Sequence, residues 1–167
     1  VKTMVDPSVN WLFETKPQDS TGNRPIPIPR GKVIGGSSSI NGMLYVRGQP
    51  NDYDVWAQMG CTGWSYKDVL PYFKKSENWE RGGNSYRGEG GPLNVAETRN
   101  RYDILDKVIE AGTSLGYVPE HDYNSDSQAG FFYYQLTQKD GRRFSAKHAY
   151  LDPARNRNNL AVWTRAL

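Results

Sequence analysis

The stretch Arg30-Gly31-Lys32-Val33-Ile34-Gly35-Gly36-Ser37-Ser38-Ser39-Ile40-Asn41-Gly42-Met43-Leu44-Tyr45-Val46-Arg47-Gly48 is the most informative part of the chain. The pair Gly35-Gly36 lets the main chain approach a ligand without interference from a Cβ. A helix is predicted to open on the three serines that follow. At such a start the hydroxyls, the unpaired backbone N–H groups and the positive pole of the helix dipole favour a pyrophosphate or an electron-rich ring edge. Asn41, one turn in, carries a side chain that both donates and accepts hydrogen bonds. The same residues also suit an ordinary serine-capped helix after a glycine turn, and the residues alone leave both readings open. The stretch has neither the P-loop spacing Gly-x4-Gly-Lys-Ser/Thr nor GxGxxG.

Upstream, Pro25, Pro27 and Pro29 alternate with Ile26 and Ile28. This pattern predicts an extended, polyproline-like piece that cannot be an interior strand. Downstream come three helical patterns. Asn51 is placed to cap the first, with Val55, Trp56 and Met59 on one face. Ser65 and Asp68 have a capping-box-like spacing for the second, which turns Val69, Leu70 and Phe73 inward and ends at Lys74-Lys75, the favourable pole of its dipole. The third covers 102–115, with Ile104, Leu105, Val108 and Ile109 on one stripe and Gly116 as its stop. Residues 80–91 read as a Gly-rich loop, 92–95 as a short strand and 130–137 as a further strand, with Asp140-Gly141 as a turn. Ser145 is expected to cap a short helix through Tyr150, closed by Pro153, and 159–164 to begin a strand. Isolated helices with scattered strands look like connecting and covering parts of a larger α/β protein, not a regular βαβ repeat.

At 167 residues the chain is long enough for one ordinary domain. Its mean hydropathy of -0.77 is polar, but aromatics at 13% are too abundant for a disordered chain. The 21 basic and 18 acidic residues are interspersed, which argues against a nucleic-acid-binding stripe. Cys61 is the only cysteine, so neither an internal disulfide nor a Cys/His zinc pattern is available. A reducing compartment, with the cytoplasm favoured, fits that usage. No apolar run approaches the roughly 18 residues of a membrane span, and membrane association is not indicated. The start VKTMVDPSVNW does not look like a signal peptide, and both ends read as cut.

The run from Gly31 to Asp54 resembles the first sequence signature of the glucose–methanol–choline (GMC) oxidoreductases. Gly31, Lys32, Ile34, Gly35, Gly36, Ser37, Ser38, Ile40, Asn41, Tyr45, Gly48 and Asp54 carry the likeness. It continues through Asn51-x-Tyr53-Asp54-x-Trp56, Gly63-Trp64-Ser65-Tyr66, Gly91-Pro92-Leu93, Gly116-Tyr117 and Gly141-Arg142-Arg143-x-Ser145-Ala146, and so covers nearly the whole chain from Trp11 onward. The resemblance implies a mixed α/β fold: part of a Rossmann-like FAD-binding domain and part of an antiparallel-sheet substrate domain, incomplete at both ends. Residues 1–50 would be the FAD-contacting segment, 51–140 a covering or substrate-domain segment, and 141–167 a return to the FAD domain. Gly35, Gly36, Ser37 and Ser38 would follow the FAD pyrophosphate and ribityl chain. Asn41, Gly42, Met43 and Leu44 would lie beside the isoalloxazine, with Arg30 and Val33 nearby. Some members attach flavin through a His where this chain has Ile40, so FAD should be held non-covalently.

The implied parent is an enzyme of choline-dehydrogenase-like character that oxidises the CH–OH group of a small-molecule alcohol, with hydride passing to flavin. Members with other flavin use, such as a hydroxynitrile lyase or a photodecarboxylase, are alternatives, as is a non-catalytic fragment without cofactor. The ADP-binding GxGxxG and the C-terminal catalytic His pair of the family have no counterpart here. The resemblance thus implies a catalytic base that would lie C-terminal to these residues, and the remainder of its own protein as partner. His121 and His148 are read as turn and structural residues, the former because adjacent strand residues such as His121 and Asp122 point apart. Trp56, Trp64, Tyr72 and Phe73 are read as core, and Arg142 and Arg143 as solvated turn charges. Tyr45 and Arg47 are candidates for a place near a substrate entrance.

Overall fold

The computed structural model describes residues 2–117 and 122–166; His121 lies outside them. The fold is mixed α/β and divides into two compact units, one of residues 1–42 with 144–167 and one of residues 43–143.

In the first unit, β1 (Phe13–Glu14) pairs antiparallel with β2 (Pro27–Ile28). A two-stranded ribbon has only edges, so the proline-rich piece can join it without leaving an interior ladder bond unmade. Asn10 closes its base: the side-chain Oδ1 accepts from the Arg30 and Leu12 N–H groups, and Nδ2 donates to Met4 O at 2.6 Å. The serine run forms a single 3-10 turn, Gly36–Ser39, instead of the expected helix. Gly35 and Gly36 both have left-handed φ, so the chain enters the turn from a bend and Ile40 ends it after four residues. The carboxy-terminal part of this unit holds a π-turn, Lys147–Leu151, running into a short α-turn, Asp152–Ala154. Ser145 does not cap it as expected, because its hydroxyl lies 3.0 Å from His148 Nδ1. Pro153 sits inside the α-turn, where an early position leaves no bond to lose. Residues 159–164 form no ladder, so the strand expected there is absent.

The second unit begins with α1 (Pro50–Gln58) and α2 (Tyr66–Ser76). The cap of α1 is Gln49, not Asn51, and the Asp52 carboxylate accepts from the Gln49 N–H at 2.8 Å. Proline at the first helical position sets the start two residues earlier than the Asn51 reading. In α2 the reciprocal pair of Ser65 and Asp68 forms as expected, and Lys74 and Lys75 occupy the last turn. Asp54 ties the two helices together by accepting from the Tyr66 N–H at 2.9 Å.

After α2, β3 (Glu77–Trp79) runs parallel to β4 (Leu93–Glu97), with Trp79 opposite Val95. α3 (Asp103–Ser114) follows, and its end folds back through Gly116 in left-handed φ. β5 (Gln135–Leu136) adds antiparallel to β4, and only this end of the expected 130–137 strand joins the sheet. β6 (Gln138–Lys139) and β7 (Arg142–Arg143) make a hairpin about Asp140-Gly141, both with φ > 0. This is the conformation that an Asp-Gly pair favours in a two-residue loop. No described helix is long and apolar enough to cross a membrane.

The faces of α1 and α3 differ from expectation. Val55, Trp56 and Met59 are exposed, as are Ile104, Leu105 and Val108. On α3 the buried position is Gly112, against the Phe131 ring. Periodicity marks an amphipathic helix, but it does not say whether a covering element lies within the same unit. Trp56, Trp64 and Tyr72 are also exposed, so of the aromatics assigned to the core only Phe73 is turned inward.

Candidate functional site

The glycine turn is built from close main-chain packing. A Cβ on Gly31 would fall 2.2 Å from the Gly36 carbonyl oxygen, so these two backbones touch. The Gly31 N–H donates to Ser37 Oγ at 3.1 Å, and the Gly36 N–H donates to Val33 O at 2.8 Å. Ser38 Oγ donates to Gly35 O and accepts from the Ala146 N–H at 2.9 Å; Ser39 Oγ donates to Ile34 O. The proton donors of Ser38 and Ser39 are thus committed to holding the turn. Ser37, which is exposed and whose oxygen accepts from Gly31, still has its hydroxyl proton to offer.

Gly36 differs from its neighbours. Its φ is +57°, and nothing lies within 4 Å of where a Cβ would stand. The backbone here is bare and open on one side, and Ser37, Asn41 and Gly42 beyond it are exposed. Arg30 is exposed with its Nη1 on Pro29 O, and Val33 is exposed at the edge of a cavity of about 710 Å³. Trp11, Lys32 and Ile34 also line that cavity. Ile40 is buried at 5% exposure and has no nucleophilic atom. With only a four-residue turn, the helix-dipole argument for anion binding loses its basis, and what remains is open backbone, one free hydroxyl and nearby positive charge.

Met43 and Leu44 belong to the second unit. Met43 has a φ of +64°, a costly conformation for a side chain with a Cβ. Its carbonyl oxygen accepts from both the Thr137 N–H, at 2.9 Å, and Thr137 Oγ1. Leu44 bridges Leu136 and leaves its side chain half exposed. The Tyr45 N–H donates to Gln135 O at 2.9 Å, and Tyr45 O accepts from Tyr123 Oη at 2.8 Å.

Below this segment lies a largely buried ionic cluster, with Asp122 at its partly exposed edge. The Glu77 carboxylate accepts from Arg47 Nη2 at 2.7 Å, from Arg87 Nη2 at 2.7 Å and from the Gly88 N–H at 2.8 Å. Arg87 reaches on to Asp122 Oδ1 at 2.6 Å and Gln135 Oε1 at 2.8 Å, and its guanidinium carbon lies over the Trp79 ring, 4.1 Å from the centroid. Glu77 and Arg87 have no exposed surface. Burial opposes the charge on Arg87 most strongly, but bonds to Glu77 and the charges of Glu77 and Asp122 hold its proton more tightly than usual. Burial likewise raises the Tyr45 phenol and pushes Tyr123 up to about 12. Arg47 is therefore not at an open entrance, because its guanidinium is spent on Glu77 and Tyr86 O.

Of the residues singled out in the sequence, Arg30, Val33, Gly35, Gly36, Ser37, Ser38, Asn41 and Gly42 lie together in the first unit, and Met43 and Leu44 in the second. His148 packs in the turn beside Phe144 and Ser145. No sequence motif marks the cluster of Glu77, Arg87 and Asp122. A trace of it existed in the glycines around Arg87: a Cβ on Gly88 would meet Lys74 O at 2.0 Å, so the loop passes against α2 at close range. Among the described residues no group of His, Cys, Asp and Glu could hold a metal ion.

The chain is similar to known proteins over most of its length. The chain is 46% identical over 153 residues to an oxygen-dependent choline dehydrogenase of Brucella anthropi, a match spanning 92% of the chain but 28% of that relative. Among solved structures, pyridoxine 4-oxidase from Mesorbium loti superposes with a TM-score of 0.82 at 33% identity, covering 92% of this chain and 31% of that one. An FAD-dependent oxidoreductase from Chaetomium thermophilum gives 0.85 at 28% identity, over 95% and 30%. The chain thus spans less than a third of the length of these relatives. Residues 10–167 match the model of the GMC oxidoreductases, and with the signature run, the glycine turn and these likenesses in agreement, the chain belongs to that family.

Proposed function

We propose that this chain is the flavin-facing segment of a longer enzyme that binds FAD non-covalently and oxidises a small alcohol of the choline type. The observation that carries the reading is Gly36, a left-handed glycine with empty space over its Cα inside the family's signature run. A cofactor chain needs that bare backbone to come close, and a Cβ would occupy the same space. Bound FAD would supply the hydride acceptor, while the protein supplies orientation and exclusion of water. In this chain, Gly35, Gly36 and Ser37 would carry the pyrophosphate and ribityl side with the Ser37 hydroxyl as donor, and Ser38 would hold the turn in shape. Arg30 would add positive charge beside Val33. Asn41, Gly42, Met43 and Leu44 would lie along the ring, with Asn41 offering both a donor and an acceptor. Ile40 can form no bond to a flavin carbon, which supports non-covalent retention. Residues 1–50 and 141–167 would belong to the FAD domain, and 51–140 to the covering or substrate-domain segment.

The likeness to choline dehydrogenase and pyridoxine 4-oxidase supports an alcohol CH–OH donor. In the full-length enzyme, a panel of choline, pyridoxine, aryl alcohols and aliphatic alcohols should reduce the flavin anaerobically for at least one member. Flavin left oxidised by every alcohol would overturn the alcohol-oxidation reading. Asn41→Leu should slow that reduction or weaken FAD retention about tenfold or more, in line with loss of a hydrogen bond in a dry site.

A further inference from the structure

The ionic cluster under Met43–Arg47 is larger than stability alone explains. Replacing a buried ion pair by apolar packing is often neutral or stabilising, so such a cluster is weak evidence for a purely structural role. Here it converges on one segment. Arg47 is held at its side chain by Glu77, Tyr86 O and Tyr45 Oη. It is held at its backbone by Asn124, which accepts from the N–H, and by Gln128, which donates to the carbonyl. Tyr45 is held by Gln135, Tyr123 and Asn124. These same partners close the circle, since Arg87 bonds Gln135 and Asp122 as well as Glu77. At the start of the clamped run sits Met43 at φ +64°, with Thr137 fixing its carbonyl oxygen. A non-glycine residue persists in that region only where its surroundings over-determine it, and such strain concentrates at functional sites.

We propose that Glu77, acting through Arg47 and Arg87, is a positioning residue that fixes the backbone of Met43 and Leu44 where they meet the flavin. The inference rests on the flavin-facing reading of this segment. Glu77 touches no cofactor atom itself; it sets the direction of the run whose first two residues do. Glu77→Gln would leave two buried guanidiniums short of a carboxylate, and that variant can fail to fold. Arg47→Lys keeps the charge but loses the fork that spans Glu77 and Tyr86 O. Val95→Ala is the control, because Val95 is fully buried in β4 and bonds nothing in the segment.

The test uses the full-length protein. Amide hydrogen exchange over residues 43–47 is measured with and without flavin, beside the visible spectrum of the bound flavin and its rate of reduction. Arg47→Lys should speed exchange at the Tyr45 and Arg47 amides about tenfold or more, shift the flavin spectrum and slow reduction about tenfold, with FAD still bound. Val95→Ala should lower the melting temperature and leave all three unchanged. Equal behaviour of the two variants overturns the proposal. So does faster exchange in Arg47→Lys with a wild-type flavin spectrum and rate. A wild-type protein that holds no flavin defeats the functional reading instead, and the exchange measurement on the flavin-free protein still decides the clamp.

Discussion

Tyr123 shows how much a single polar atom carries in this chain. Its hydroxyl donates to Tyr45 O and accepts from the Gln135 N–H at 2.7 Å, while its ring stacks on Phe132. Tyr123→Phe leaves the Gln135 N–H buried and unpaired, and should cost about 1–3 kcal/mol in urea unfolding. Burial raises the phenol from the ordinary 10 to about 12, so the unfolded chain ionises first as pH rises. The contribution of Tyr123 is complete below pH 10 and lost as pH climbs from 10 through about 12, and stability of the wild type should fall over that window. The variant should show a shallower fall. The two glycines of the turn make a second contrast. Gly31→Ala would drive a Cβ into the Gly36 carbonyl, where neither backbone can yield, and should cost about 3 kcal/mol or more. Gly36→Ala meets open space and should cost only the left-handed strain, about 1–2 kcal/mol. Thermal unfolding of the two variants checks the order.

Among the elements, those written in local chemistry were legible in the sequence. The Ser65–Asp68 pair and the Lys74-Lys75 end define α2 within a dozen residues. Gly116 stops α3, and Asp140-Gly141 turns β6 into β7. Ser65→Ala should therefore cost about 1 kcal/mol of stability, measured by chemical unfolding, with Ser65→Asp close to wild type. What failed needed information from afar. The apolar stripes of α1 and α3 identified helices but not their partners, and all of these residues except Ile109 are exposed. The serine run looked like the start of a helix, but two successive left-handed residues at Gly35 and Gly36 set its geometry, and a four-residue turn resulted. Glu77, Arg87 and Asp122 are brought together over separations of 10 and 35 residues, which no local pattern encodes.

At the scale of the whole molecule, the family was readable because many fixed positions between Gly31 and Asp54 agree at once. The physical content of that run became clear only from the fold: Gly31 packs on the Gly36 backbone, Gly35 and Gly48 pack against side chains, Gly36 leaves a gap, and two of the serines hold the turn instead of facing outward. The flavin-facing reading turns on Gly36, since the empty space over its Cα is assigned to FAD. The most direct test measures FAD released on acid denaturation of the full-length protein and of its Gly36→Ala variant, with far-UV circular dichroism as the check on folding. The expected result is about one FAD released per wild-type chain, and FAD affinity at least tenfold weaker in a folded Gly36→Ala. A variant that keeps its full complement of FAD at wild-type affinity would contradict it.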